Sequence, residues 1–436
     1  MTTSGGNGTQ SRLLSRTWFV HRPLPSPIPT TNTSQDTLYY INASVGTPPQ
    51  DVRLHLDTGS SDLWVNTPSS DFCSSPDDPC KPGGTYSPSD SSSSNDAGGG
   101  FNISYADGSS AMGDYVTDTF RLGAVSVPDL KFGVADKSET PRGILGLGYA
   151  ANEAGALTKG DDPYDNLPLK LAAEGHTQSA AYSLYLNDLD ANRGSILFGG
   201  VDRARYEGEL ATLPVQSEGG EYTRLLVTLT RLEFDDEKVE DDMALAVLLD
   251  SGSSLTYLPD DIAETLYKAV GASFSEDEGV ATIPCSARDP ARSLVFTFSS
   301  VKISVPLDEL VIDLTASSTP AARRRATSDE CVFGVAPADG DGTTVLGDTF
   351  MRSAYVVFDL ENDEISLAQA KLNSSESDVQ EIKKGKDGVP GAKKVENPVE
   401  AKEGLQGEGG QGGGAGRTCS LVGSGAMALF VVLAVW

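Results

Sequence analysis

One six-residue phrase occurs twice in the chain. Leu56-Asp57-Thr58-Gly59-Ser60-Ser61 returns as Leu249-Asp250-Ser251-Gly252-Ser253-Ser254, 193 positions later. A second phrase, Ile144-Leu145-Gly146, returns as Val345-Leu346-Gly347 after 201 positions. A single D-[ST]-G-S carries little weight, because Asp, Ser and Gly build ordinary turns. Two unrelated phrases recurring in the same order, with Asp-to-Gly spacings of 89 and 97, are far more constraining. They predict two similar lobes, each delivering an Asp from the end of an apolar strand.

The texture between these phrases is short apolar runs rich in Val, Ile, Tyr and Phe, broken by Gly, Asp, Asn and Pro. Leu54–Leu56, Tyr115–Leu122, Ser183–Leu189, Leu225–Leu232 and Tyr355–Leu360 are examples. This is an all-β pattern. Helix signals are few. The best is Pro259-Asp260-Asp261 before Ile262–Val270, with proline and acids in the first turn. The expected organisation is a leader at 1–36, an N-terminal lobe at 37–212 and a C-terminal lobe at 213–370. A disordered stalk is expected at 371–416, where aromatics almost vanish. A terminal signal follows at 417–436.

Charge and composition exclude several kinds of chemistry. The 436 residues hold 62 acids against 33 bases, a formal charge of −29. Residues 37–370 hold 53 of the acids and 22 of the bases, so the acidity belongs to the body. A nucleic-acid binder needs the opposite sign. The three histidines, His21, His55 and His176, lie far apart, which excludes an H-E-x-x-H zinc helix. No G-x-S-x-G elbow and no C-x-x-C pair occurs, so neither a serine hydrolase nor a structural zinc site is expected. Neither a metal nor a cofactor is expected, and the chemistry left is that of carboxylates.

In apolar–Asp–Thr/Ser–Gly–Ser, the strand brings Asp to a point where the chain must turn. Glycine permits close approach of another chain. If two such loops face each other, Asp57 and Asp250 share one site. Two carboxylates about 3 Å apart cannot both ionise, so the pair holds one proton. The ionised member can draw a proton from water while the protonated one polarises a carbonyl. That is amide hydrolysis with no covalent intermediate.

At these residues the chain resembles the pepsin-like aspartic endopeptidases of the secreted fungal kind, over about Tyr39 to Ala370. Further landmarks are Gly46-Thr47-Pro48-Pro49-Gln50, Asp62-Leu63-Trp64-Val65, Arg142 to Gly148 and Val345 to Asp348. The resemblance implies a bilobal all-β fold with the Asp pair on the floor of a cleft. It implies extended polypeptide substrates, acid pH, sensitivity to pepstatin-type inhibitors and a monomer. Thr58 and Ser251 take the positions of paired hydroxyls behind the acids. Ser60 and Ser253 are expected on the outer carboxylate oxygens, with Gly59 and Gly252 supporting the turns. Ile103 to Ser110 matches the family's flap hairpin, with Tyr105 over the dyad and Gly108 and Ser109 in the turn; Trp64 either stands behind the tyrosine or simply packs in the core. Asp107 resembles the flap acid that meets a lysine at the substrate's P1 position, or it is an ordinary turn acid. His55, two residues before Asp57 on the same strand face, either lines the pocket or is a plain polar substitution.

The four cysteines of the body allow three pairings. The resemblance supports Cys73–Cys80 and Cys285–Cys331. Arg323-Arg324-Arg325, inside the second loop, is a processing site or a solvated cation cluster. At the C-terminus, small residues precede a spacer from Arg417 to Ser424 and 11 apolar residues, Ala426–Trp436. That run is too short to span a bilayer but fits a glycosylphosphatidylinositol signal with attachment near Gly414 and loss of Cys419. This narrows the likeness to yapsin-type members, held at the cell surface by a lipid anchor. No signal-peptide h-region is visible, so the sequence is expected to lack its true start, unless the tail is incidental and the protein is cytosolic. Five sequons, at Asn7, Asn32, Asn42, Asn102 and Asn373, lean toward secretion. The competing expectations are a catalytically silent pepsin-like binding protein and a structural wall glycoprotein, neither of which needs both Asp motifs and the flap tyrosine.

Overall fold

The computed structural model describes residues 26–32, 38–159, 162–191, 193–276, 278–313, 329–338 and 342–405. The leader through residue 25, the Arg323–Arg325 cluster, Gly414 and the 417–436 signal lie outside the described residues.

Short β-prone runs become strands, and the largest sheet has 14 of them. Near its middle Tyr39–Val45 and Gln50–Asp57 form a hairpin in register from Tyr40↔His55 to Val45↔Gln50. Asp57 ends the second strand, whose Leu54 and Leu56 are fully buried. That strand runs parallel to Ile144–Gly146, which is antiparallel to Leu63–Asn66. The second lobe repeats the arrangement. Leu245–Leu249 runs parallel to Val345–Leu346, which pairs antiparallel with Thr256–Leu258. The repeated phrases are thus two copies of one crossing, in which a loop passes over the strand that follows it in space. Gly146 is fixed by that crossing: a Cβ there would stand 2.5 Å from the backbone carbon of Ser61. The expected helix is present as Asp260–Val270, closed by Gly271 in the left-handed region at φ 79°.

Two expectations about strands are corrected. The run Leu225–Leu232 is two strands, Leu226–Leu229 and Arg231–Phe234, in different sheets. The break is Thr230, whose N–H and hydroxyl both donate to the Thr297 carbonyl, at 2.8 and 2.9 Å, turning the chain out of the first sheet. The run Ser183–Leu189 ends early, with strand Ala181–Tyr185 and then Asn187 at φ 68°. One sheet joins the two expected lobes, because Ala354–Asp359 and Glu364–Ala370 lie beside Ala181–Tyr185 and Tyr206–Pro214.

The stalk differs most. Its described part, 371–405, is packed rather than disordered. Val379–Glu381 pairs with Gly200–Asp202, and Ala392–Lys394 adds a parallel strand beside Tyr206–Pro214. Val399 N–H then donates to Ser299 Oγ at 3.0 Å, and Ala246 N–H to the Glu403 carbonyl at 2.8 Å. Composition misleads here because very few apolar groups suffice when the backbone pairs with an existing sheet edge. Ile382 is fully buried beside Val201, Tyr206 and Tyr355. Ile382→Ala should therefore lower unfolding stability by about 2–4 kcal/mol. Urea denaturation checks this; a change under about 0.5 kcal/mol is what an undocked tail would give.

Candidate active site

The two crossings point their loops at one another. Thr58 Oγ1 donates to the Leu249 carbonyl at 2.7 Å and accepts from Ser251 N–H at 2.9 Å. In mirror fashion Ser251 Oγ donates to the Leu56 carbonyl at 3.0 Å and accepts from Thr58 N–H at 3.3 Å. Each hydroxyl thus reaches the strand of the other copy, so the serine at 251 serves as well as a threonine.

In front of this cross-link lie Asp57 and Asp250, both fully buried and hydrogen-bonded to each other. Asp57 Oδ1 accepts from Gly59 N–H at 2.8 Å and Oδ2 from the Ser60 hydroxyl. Asp250 Oδ1 accepts from Gly252 N–H at 2.7 Å and Oδ2 from Ser253 Oγ at 2.7 Å. Gly59 and Gly252 are glycine because of the opposite carboxyl. A Cβ on Gly59 would stand 2.7 Å from Asp250 Oδ1, and one on Gly252 2.8 Å from Asp57 Cγ. Both carboxyls are pushed above the usual range, first by burial. For Asp250 the charge of Asp57 adds to that push, while the Ser60 and Gly59 donors hold Asp57 back. The arrangement holds one proton between two acids, and that proton belongs to the pair.

The expected hairpin is present, from Asn95–Ser104 and Ser110–Leu122. Its tip closes with Tyr105 N–H on the Ser109 carbonyl at 2.9 Å and Gly108 at φ 81°. Tyr105 is buried, and its hydroxyl accepts from Trp64 Nε1 at 2.7 Å. Burial and the nearby Asp57 charge push the Tyr105 phenol well up, so it stays a neutral donor. Asp107 has the turn-acid position: its Oδ1 accepts from Ser109 N–H at 2.8 Å. Both expected disulfides are formed, Cys73–Cys80 and Cys285–Cys331.

Two groups escaped the sequence reading. Asp62 is fully buried, taking hydrogen bonds from Tyr115 Oη at 2.6 Å, Tyr164 Oη at 3.0 Å and Ala154 N–H at 2.7 Å. Lys131 Nζ sits 4.4 and 4.5 Å from the two tyrosine ring centres. Burial raises the Asp62 carboxyl, and it pushes the neighbouring Glu153 up to about 9. This polar layer lies behind the cluster of Trp64, Phe101 and Tyr105 under the hairpin. A signal existed: Asp62 follows the first copy of the repeat where the second has Leu255. The other group is Arg352, buried on Glu309 and beside Asp348, whose carboxyl is raised by burial.

Residues 38–370 match the family model described as eukaryotic aspartyl protease. A probable aspartic-type endopeptidase of Trichophyton verrucosum is 47% identical over 397 residues, covering 88% of this chain and 80% of its own. The aspartic proteinase yapsin-3 of Saccharomyces cerevisiae is 35% identical over 365 residues, 80% of this chain and 69% of its own. Among solved structures, an aspartic proteinase from Irpex lacteus aligns at a TM-score of 0.66 with 21% identity, covering 81% of this chain and all of that one.

His55 is buried against Tyr40, and its ring hydrogen-bonds the Ser251 backbone, while Nε2 has no hydrogen-bond partner among the described residues. Burial lowers its pKa from 6.5 to about 4. A proton is therefore harder to add in the native state than in the unfolded one. The resulting stability is complete above pH 6.5 and is lost as the pH falls toward 4, by at most about 3 kcal/mol. His55→Val should flatten that loss when urea unfolding is compared at the two pH values; equal losses in both proteins would exclude His55 as its source.

Proposed function

The chain belongs to the eukaryotic aspartyl protease family and is an aspartic-type endopeptidase, and we propose that Asp57 and Asp250 are the pair that performs its hydrolysis. The observation that carries this is the shared burial of two carboxyls on cross-braced loops, each backed by its own N–H and hydroxyl. In this reading a peptide lies extended under the hairpin. Asp57, as the ionised member, takes a proton from the attacking water. Asp250 gives its proton to the substrate carbonyl oxygen as the tetrahedral centre forms. The leaving amine then receives the proton from Asp57 as the C–N bond breaks, while Asp250 takes one back from a hydroxyl of the tetrahedral centre, so one proton is again shared for the next cycle. Tyr105, kept neutral, closes over the site and excludes water.

The pH dependence follows from the shared proton. Both carboxyls are raised, so the proton is held in acid and is lost as the pH rises; activity belongs to the acid side. The two disulfides suit an oxidising compartment. With the C-terminal pattern near Gly414, they support a surface-attached enzyme outside the cell.

Asp57→Asn and Asp250→Asn should each lower kcat on a denatured protein substrate at about pH 4 by about 10³-fold or more. Pepstatin should abolish the wild-type activity. Hydrolysis that survives either substitution would remove the mechanism. A basic P1 preference rests on Asp107, half-exposed at the hairpin tip with one oxygen used by Ser109. Asp107→Asn keeps a turn acceptor but loses the charge. It should reduce kcat/KM after Lys by about 10-fold while leaving cleavage after Leu within about 2-fold. Equal loss for both substrates would leave Asp107 as a turn residue only.

A further inference from the structure

A concave site lies on the first lobe, at the far end of the flap hairpin's second strand from Tyr105. It is a cleft of about 580 Å³ between the Tyr39–Val45/Gln50–Asp57 hairpin, the loop that follows Cys80 and the turn after Leu122. Arg53, Lys81 and Arg121 line it, with Ser44 and one acid, Asp51. The register explains the grouping. Ser44 is opposite Asp51 on one side and Arg121 on the other, so the exposed face of three strands gathers these side chains. Lys81 comes from the loop, which Arg53 N–H pins by donating to the Gly83 carbonyl at 2.8 Å.

The charge of this cleft runs against the rest of the molecule. Many bases elsewhere are covered by acids, as in Arg224–Glu218, Arg292–Asp235, Lys302–Glu233 and Lys394–Glu364. Lys81 and Arg121 form no ion pair among the described residues. Two of the cations are also held in place. Arg121 Nη1 donates to the Gly46 carbonyl at 2.6 Å, and the Arg53 guanidinium lies 4.8 Å from the Tyr40 ring centre. Held cations around an open volume lose little freedom when an anion arrives. The volume exceeds that of a bare ion and falls within the range of small-molecule sites.

We propose that this cleft binds the oxyanion of a sugar-sized polar molecule, a phosphate or a carboxylate held by Arg53, Lys81 and Arg121. The guanidinium groups offer forked donors and the ammonium a point charge. Ser44 is placed for a neighbouring hydroxyl. The site is separate from the acid pair: Arg53 precedes Asp57 by four residues, about 13 Å of extended strand.

The test is thermal unfolding of the whole protein with inorganic phosphate, glucuronate or neutral glucose added at fixed ionic strength. Asn42, which opens a sequon, lies on the rim, so enzymatically deglycosylated protein is used. Phosphate, glucuronate or both should raise Tm saturably while glucose does not. The stronger of the two anions identifies the group. Lys81→Glu, an exposed change, should weaken the apparent Kd by about 10-fold or more without altering hydrolysis of a protein substrate. Arg121→Gln should do the same. No saturable shift with either anion, an equal shift with glucose, or an unchanged Kd in the Lys81→Glu protein would overturn the proposal.

Discussion

Everything at the centre of this molecule depends on two hydroxyls, Thr58 Oγ1 and Ser251 Oγ. Each spends its proton on a carbonyl of the other repeat and accepts the other repeat's N–H. That exchange pins two loops back to back, and only then can Asp57 and Asp250 occupy one buried place. Burial of two acids is costly without donors. Here each carboxyl has a backbone N–H and a serine hydroxyl, which offset part of the cost and leave one proton to be shared. The glycines at 59 and 252 follow from the same closeness, because neither position has space for a Cβ against the facing carboxyl.

The loops stay in place because the lobes are not joined by a single linker. Strands from both ends of the chain interleave in one 14-stranded sheet, and the segment after Ala370 runs along its edge. A free strand edge invites pairing with other chains. Ala392–Lys394 covers one such edge, and the following residues reach Ser299 and Ala246 in the second lobe. Below the acid pair the frame is thus tied across the lobes. Above it the hairpin is tied beside its tip, where Ser110 N–H and Oγ donate to Glu139, and by Trp64 on Tyr105.

The electrostatics divide by depth. On the surface, acids outnumber bases and pair with most of them. Inside, burial raises carboxyls at Asp57, Asp250, Asp62, Glu153 and Asp348, and lowers the imidazole at His55. The raised acids outside the shared pair take up protons readily in acid; the buried histidine is strained there. The balance between them sets how far down in pH the native state persists.

The sequence by itself determined the duplicated Asp loops, the glycines beside them, the tyrosine-bearing hairpin and the helix after Pro259. These are local: a turn that needs glycine, a strand that ends at an acid, or a 3.6-residue period is complete within a dozen residues. Only the tertiary structure decided the rest. The 371–405 segment has too few apolar residues to announce burial, and its order comes from pairing with strands more than 150 residues earlier. Thr230 divides one apolar run because Thr297 lies opposite it. Asp62 gathers Tyr115 and Tyr164 from 53 and 102 residues away. Such contacts depend on register between distant strands, and register is settled by the packing of the whole core, which no single stretch of chain encodes.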